Sequence, residues 1–321
     1  MTLDRRSLLR LALAGAVAPL LSRPLPGGAR PAPLALVTAD EDGFVAVVDL
    51  ARRQVVRRVA TLDGPRSAEA RAGAGAVVGH ASEGAVTLLS GRPLRVRRVL
   101  RGFGEPRYAA IAAGGGHAFV TDSGHGELAV LDLARGRVVR RLEVGAGARH
   151  MTLDPAGRRL WIALGSTAST VVVVDVSDPL TPRVVRRFAP PFGAHDLAFS
   201  PSGRRVWVTA GRTPQIALYR AGASRPAAVL AADTAPQHVA FGPHGAYVAS
   251  GEGRSLTVHA LDDGRVRRRA RIPLGSYNVA RGTGGVLTPS LGSGELTVLD
   301  DGGRVRWAVS VAAAAHDACL L

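Results

Sequence analysis

The 321-residue chain reads as an all-β fold built from a repeated four-stranded unit, and three observations carry that reading. The stretch HDLAFSPSGRRVWVTAG, residues 195 to 211, alternates apolar and smaller residues on both sides of a Ser-Pro-Ser-Gly turn, the pattern of a β-hairpin. Gly 39 and Pro 20 supply frequent turns, between which lie short Val-rich runs such as TVVVVDV (170 to 176) and ELAVLDL (127 to 133), with no sustained 3.6-residue period. Copies of the hairpin begin near residues 67, 107, 149, 195, 237 and 277, a spacing of about 40 to 45 residues.

At the N-terminus, DRRSLLR (4 to 10) precedes the apolar run LALAGAVAPLL (11 to 21) and then Gly- and Pro-rich polar sequence. This resembles a twin-arginine export signal, matched at Arg5, Arg6, Leu8 and Leu9, with Asp4 and Arg10 where the family more often has Ser or Thr and Lys. The apolar run is shorter than the ~20 residues that span a bilayer. The expectation is a signal and linker over 1–33, an extracytoplasmic (periplasmic or secreted) destination, and no membrane span in the mature chain. Cys319 is the single cysteine, so no internal disulfide supports the fold.

From residue 34 onward each unit can be placed in turn. LALVTAD, GFVAVVDL and QVVRRVAT supply the second, third and fourth strands of a unit that lacks its first. The next six units, starting at the hairpin copies, are complete: a hairpin, a third strand such as QIALYRA or SLTVHAL, and an arginine-studded fourth such as RVVRRFAP. The chain ends on AHDACLL (315 to 321), an orphan first strand. The two ends complete each other, so the expected architecture over 34–321 is a seven-bladed β-propeller of four-stranded antiparallel blades, closed by the C-terminal strand joining the N-terminal blade. A monomer is expected.

The pieces SPSGRRVWVTAG, HAFVTD, AVLDL and VVVVDV resemble the repeat of YVTN-type β-propeller proteins, which pairs a Pro-x-Gly turn with Val-Thr and Val-x-Asp strands. The resemblance covers residues 34 to 321. It implies fold and leaves activity open, since such propellers include lactonases, redox enzymes and binding scaffolds.

In a propeller the first strand of each blade lines the central channel, and the loop entering it opens onto one face. The entry pairs are Arg66-Ser67, Arg107-Tyr108, Arg149-His150, His195-Asp196, Gln237-His238, Tyr277-Asn278 and His316-Asp317. His150, His195, Asp196, His238, His316 and Asp317 are the residue types that hold a divalent transition metal when they converge. Arg66, Arg107 and Arg149, on consecutive blades, suit a phosphate or carboxylate; Tyr108, Gln237, Tyr277 and Asn278 complete the candidate ligand-binding set. Entry-loop polar residues that merely satisfy the backbone are the competing reading throughout.

The net charge of +16, carried entirely by arginine on the basic side, attracts polyanions without discrimination. Aromatics at 4% give little for base stacking, and the arginines concentrate in fourth strands, where edge charge discourages sheet-to-sheet aggregation. No Gly-rich phosphate loop, G-x-S-x-G elbow or haem-attachment pair occurs. The functional expectation is a binding or interaction module whose polar mouth takes a protein or a small anionic ligand. A lactonase-like hydrolase, in the manner of the 6-phosphogluconolactonase-type propellers that share the architecture, and a metal or redox enzyme with a His/Asp site at the mouth are the alternatives.

Overall fold

A computed structural model describes residues 33–321 apart from Gly73 and Thr283; the export-signal reading falls on residues 1–32, outside the described residues. Twenty-eight strands, numbered in chain order, form seven four-stranded antiparallel sheets, with no helix among the described residues. The sheets are the blades of a seven-bladed β-propeller. Blade 1 is the split one, with the order β28 (Ala315–Leu320), β1 (Leu34–Ala39), β2 (Phe44–Asp49), β3 (Gln54–Ala60). Blades 2 to 7 follow as consecutive sets of four, their first strands being β4 (Pro65–Arg71), β8 (Pro106–Ile111), β12 (Ala148–Leu153), β16 (Leu197–Phe199), β20 (Val239–Gly242) and β24 (Ala280–Gly282).

The Val-rich runs are buried on both faces because each blade packs against two neighbours. In β13 (Arg159–Leu164), Trp161 and Ala163 join Leu197 and Val206 of blade 5, while Leu160 and Ile162 join Phe119 and Leu128 of blade 3. That is the two-residue period of a strand used to feed two cores at once. Seven separate apolar clusters result, one at each blade interface. The opening hairpin turns where the sequence places it: Gly203 N–H donates to Ser200 O at 2.8 Å, with Gly203 at φ +68°.

Fourth strands lie outermost and exposed, as in β7 (Arg95–Arg101). Their arginines also reach backwards around the ring. Arg58 donates to Val311 O at 3.3 Å, Arg141 to Gly102 O at 2.7 Å and Arg187 to Val144 O at 2.6 Å, each carbonyl belonging to the preceding blade. Charge on the outer edge therefore doubles as an inter-blade clamp.

Closure is by β28 against β1, with Ala35 opposite Leu320, Leu36 opposite Cys319 and Val37 opposite Ala318. Ala315 and Ala318 enter the core shared with blade 7, and Cys319 that shared with blade 2.

Candidate metal centre

The entry pairs do not all sit in loops. In blades 1 to 4 they lie inside the first strand at a break in register: Pro106 faces Asp122 and Ala109 faces Val120, so Arg107 and Tyr108 together oppose Thr121. Arg149-His150 and His316-Asp317 are set out the same way, opposite Ala163 and Thr38. Such bulges turn side chains out of the regular alternation. In blades 5 to 7 the pair precedes a shorter first strand.

In blades 1, 3 and 5 a threonine opposite the pair fixes it in place and ties it to the next blade. Tyr108 N–H donates to Thr121 Oγ1 at 3.2 Å, and that hydroxyl donates to Arg149 O at 2.6 Å. Likewise Asp196 N–H donates to Thr209 Oγ1 at 3.0 Å while Thr209 donates to Gln237 O. Thr38 does this between Asp317 N and Arg66 O. The Thr of the Val-Thr strand is thus a stitch between entry pairs, binding blade 3 to 4, 5 to 6 and 1 to 2.

Four side chains from four consecutive blades meet here: Tyr108, His150, His195 and His238. One ring nitrogen from each of His150, His195 and His238 lies within 4.8 Å of the others. Their ring centroids are 4.3 Å (His150 to His195), 5.1 Å (His150 to His238) and 5.7 Å (His195 to His238) apart. Tyr108 Oη lies 3.1 Å from His150 Nε2 and 3.5 Å from His238 Nε2.

Outer contacts orient these rings. His195 Nδ1 lies 2.8 Å from Ser166 O, a pure acceptor, so Nδ1 carries the proton and Nε2 keeps its lone pair. Asp196 Oδ2 lies 3.5 Å from His238 Nδ1 and accepts Val239 N–H at 3.1 Å. His150, 1% exposed, has a buried Nδ1 without a partner. Close approach matters beside His195: Gly211, at φ +67°, leaves room where a Cβ would come within 2.8 Å of the His195 Cβ.

All three imidazoles are held neutral, the form that ligates metal. Burial, then the His195 and His238 rings and Arg149, keeps His150 well below its usual range; burial, then His195, His316 and Arg149, does the same to His238. His195 falls to about 4, chiefly through burial. Burial pushes the Tyr108 phenol up, so it remains a donor.

The other expected residues fall elsewhere on the mouth. His316 Nδ1 donates to Arg66 O at 2.7 Å, and Asp317 accepts Ala68 N–H and Ala318 N–H, both at 2.9 Å; neither joins the three histidines. Asn278 donates to His316 O at 3.0 Å. Gln237 Oε1 accepts Gly251 N–H at 3.2 Å and Tyr277 packs on the same glycine, so both hold a loop. Arg66 pairs with Asp40 at 2.7 Å and Arg107 with Glu105.

Beneath the mouth lies a cavity of about 420 Å³ lined by Tyr108, Asp196, His238, Asn278 and Asp317, together with Glu69. Glu69, two residues beyond Ser67 on the channel face of β4, has its carboxyl raised to about 8 by burial and by Asp317; burial raises Asp196 and Asp317 to about 7. Sequence reasoning missed Glu69, although its two-residue spacing from an entry position was a readable signal. A second acid and histidine grouping, Asp122, His125 and Glu127, is spent locally. Asp122 already accepts Gly104 N–H at 2.9 Å, Glu105 N–H at 2.7 Å and His125 Nδ1–H at 2.9 Å.

No protein-family model matches the sequence, and no functionally curated protein matches it. Solved structures do. A functionally unknown protein from Desulfotomaculum acetoxidans superposes with a TM-score of 0.78 at 12% identity, over 89% of this chain and 98% of that one. The likeness is one of fold. A putative 6-phosphogluconolactonase from Bacteroides uniformis gives 0.75 at 12% identity (90% and 99% covered), and AztD from Citrobacter koseri 0.69 at 13% (90% and 98%). At these identities the shared property is the propeller, and the chemistry must be argued from the mouth.

Proposed function

We propose that this protein is a metal-binding propeller, taking one divalent transition-metal ion at the channel mouth through His150, His195 and His238. The observation that carries the reading is the convergence of three imidazole nitrogens within 4.8 Å from three different blades. Three neutral imidazoles suit zinc, copper or nickel, while carboxylate-preferring magnesium and calcium are disfavoured. The partners behind the rings fit such a role: Ser166 O sets the His195 tautomer, Asp196 stands behind His238, and His150 Nδ1 is buried with its bonding capacity unspent. A metal held by three protein ligands would be able to take a further ligand. Export by the twin-arginine-like segment belongs to the same proposal and places the site outside the cytoplasm.

The test is a Co²⁺ or Zn²⁺ titration of the purified protein with elemental analysis. One equivalent is expected to bind. His150→Ala and His238→Ala should each abolish binding, and His316→Ala, outside the cluster, should preserve it. Metal at roughly a hundred times Kd stabilises by about 2.7 kcal/mol, or roughly 4–5 °C in Tm for a unit of this size. Absence of stoichiometric metal, or equal loss in His316→Ala, refutes the assignment. Lactone hydrolysis is the second reading, favoured by the entry arginines Arg66, Arg107 and Arg149, of which Arg107 and Arg149 keep a buried Nε without a partner; hydrolysis at background rate removes it.

A further inference from the structure

The charge balance of the mouth leaves something unfilled. Arg66, Arg107 and Arg149 occupy equivalent entry positions on blades 2, 3 and 4, running up to the blade that carries His150. Asp40 answers Arg66 and Glu105 answers Arg107, whereas Arg149 forms no ion pair among the described residues. The Nε donors of both Arg107 and Arg149 are buried without a hydrogen-bond partner, an arrangement that is costly unless an acceptor arrives. Arg149 directly precedes His150 in the bulge of β12, between Ala148 and Met151.

A divalent cation among three neutral imidazoles would face this arginine sector with no counter-charge supplied by its ligands. The like-charge repulsion opposes binding, and the unspent guanidinium donors ask for the same remedy, an oxyanion between the two. Guanidinium groups donate to carboxylate and phosphate oxygens in a forked geometry, and either anion also serves as a metal ligand.

We infer that the mouth binds its metal together with a small oxyanion, a carboxylate or a phosphoryl group, held by Arg149 and Arg107 with Arg66 at the flank and seated on the metal's remaining coordination position. This rests on the tri-histidine metal reading. The site then recognises an anionic complex of the metal in preference to the bare ion, and Arg149 sets that preference.

The test measures Co²⁺ affinity by its visible absorbance, in wild type and in Arg149→Gln and Arg149→Lys, in the presence and absence of inorganic phosphate, and again with acetate. In wild type, one or both anions should tighten Co²⁺ binding at least about tenfold, and the larger gain names the preferred head group. Arg149→Gln should bind Co²⁺ alone more tightly than wild type, because a repelling charge is gone, and should lose the anion gain. Arg149→Lys should recover part of it. The inference is overturned if neither anion changes the wild-type affinity, or if Arg149→Gln keeps the full gain. No Co²⁺ bound under any condition is a different result: it removes the metal reading and the ternary site with it. A thermal melt of each variant confirms the fold, which Arg149 supports through no ion pair among the described residues.

Discussion

Thr209→Val tests whether the candidate site is held by the stitches between blades. The threonine is fully buried, accepts Asp196 N–H at 3.0 Å and donates to Gln237 O. Valine keeps the volume, so no cavity opens, but two buried backbone groups lose their partner. At roughly 1–3 kcal/mol for each stranded group, the expected loss is about 2–6 kcal/mol, a large part of the 5–15 kcal/mol typical of a folded domain. Those groups belong to the pairs that present His195 and His238. Metal affinity should therefore fall by about tenfold or more, the scale seen when residues that orient ligands are altered. Thr38→Val is the matched control, because it cuts the same kind of stitch between Asp317 and Arg66, away from the three histidines. Urea unfolding and Co²⁺ titration of both variants decide the matter. Comparable loss of stability with loss of affinity confined to Thr209→Val is expected; equal effects on affinity, or a Thr209→Val that unfolds like wild type, would refute the reasoning.

Deleting residues 315–321 removes the strand that pairs with β1 and the buried Ala315, Ala318 and Cys319, so the chain should lose cooperative unfolding and expose apolar surface to a dye; a truncation with the wild-type Tm would end the closure argument. Acid should destabilise through His195 and His316, whose folded values of about 4 and 3 lie below the ordinary 6.5. The unfolded chain takes up these protons first, so their contribution is complete above about pH 6.5 and is lost as pH falls toward 4. Asp317 has the opposite sign: raised from 3.8 to about 7, it favours the fold below pH 4 and costs stability as pH rises through 7. Asp317→Asn should accordingly gain on wild type between pH 4 and 7 and then hold level, and a difference in Tm independent of pH contradicts this.

The architecture was legible because a propeller repeats its message. Six hairpins, a split blade and an orphan terminal strand each appear in the sequence as local patterns, and strand pairing assembles them into seven blades. The mouth was legible only as a list of positions. Which members meet depends on small backbone irregularities: the bulge at Arg149-His150 sends the second residue inward, while in blade 5 it is the first residue, His195, that reaches the cluster. No pattern of residue types encodes that choice. Thr121 and Thr209 were visible as part of a fold signature, but their bonds cross to the next blade, and no single repeat reveals them. Arginines read as edge charge proved to clamp carbonyls of the preceding blade for the same reason.

The strand that completes blade 1 also carries His316 and Asp317, so one short segment finishes both the sheet and the rim of the mouth. Without that segment six blades are whole, β1 keeps an unpaired edge and the mouth lacks one entry pair. Ring closure and completion of the mouth are thereby a single event, because the pairing of β28 with β1 sets both.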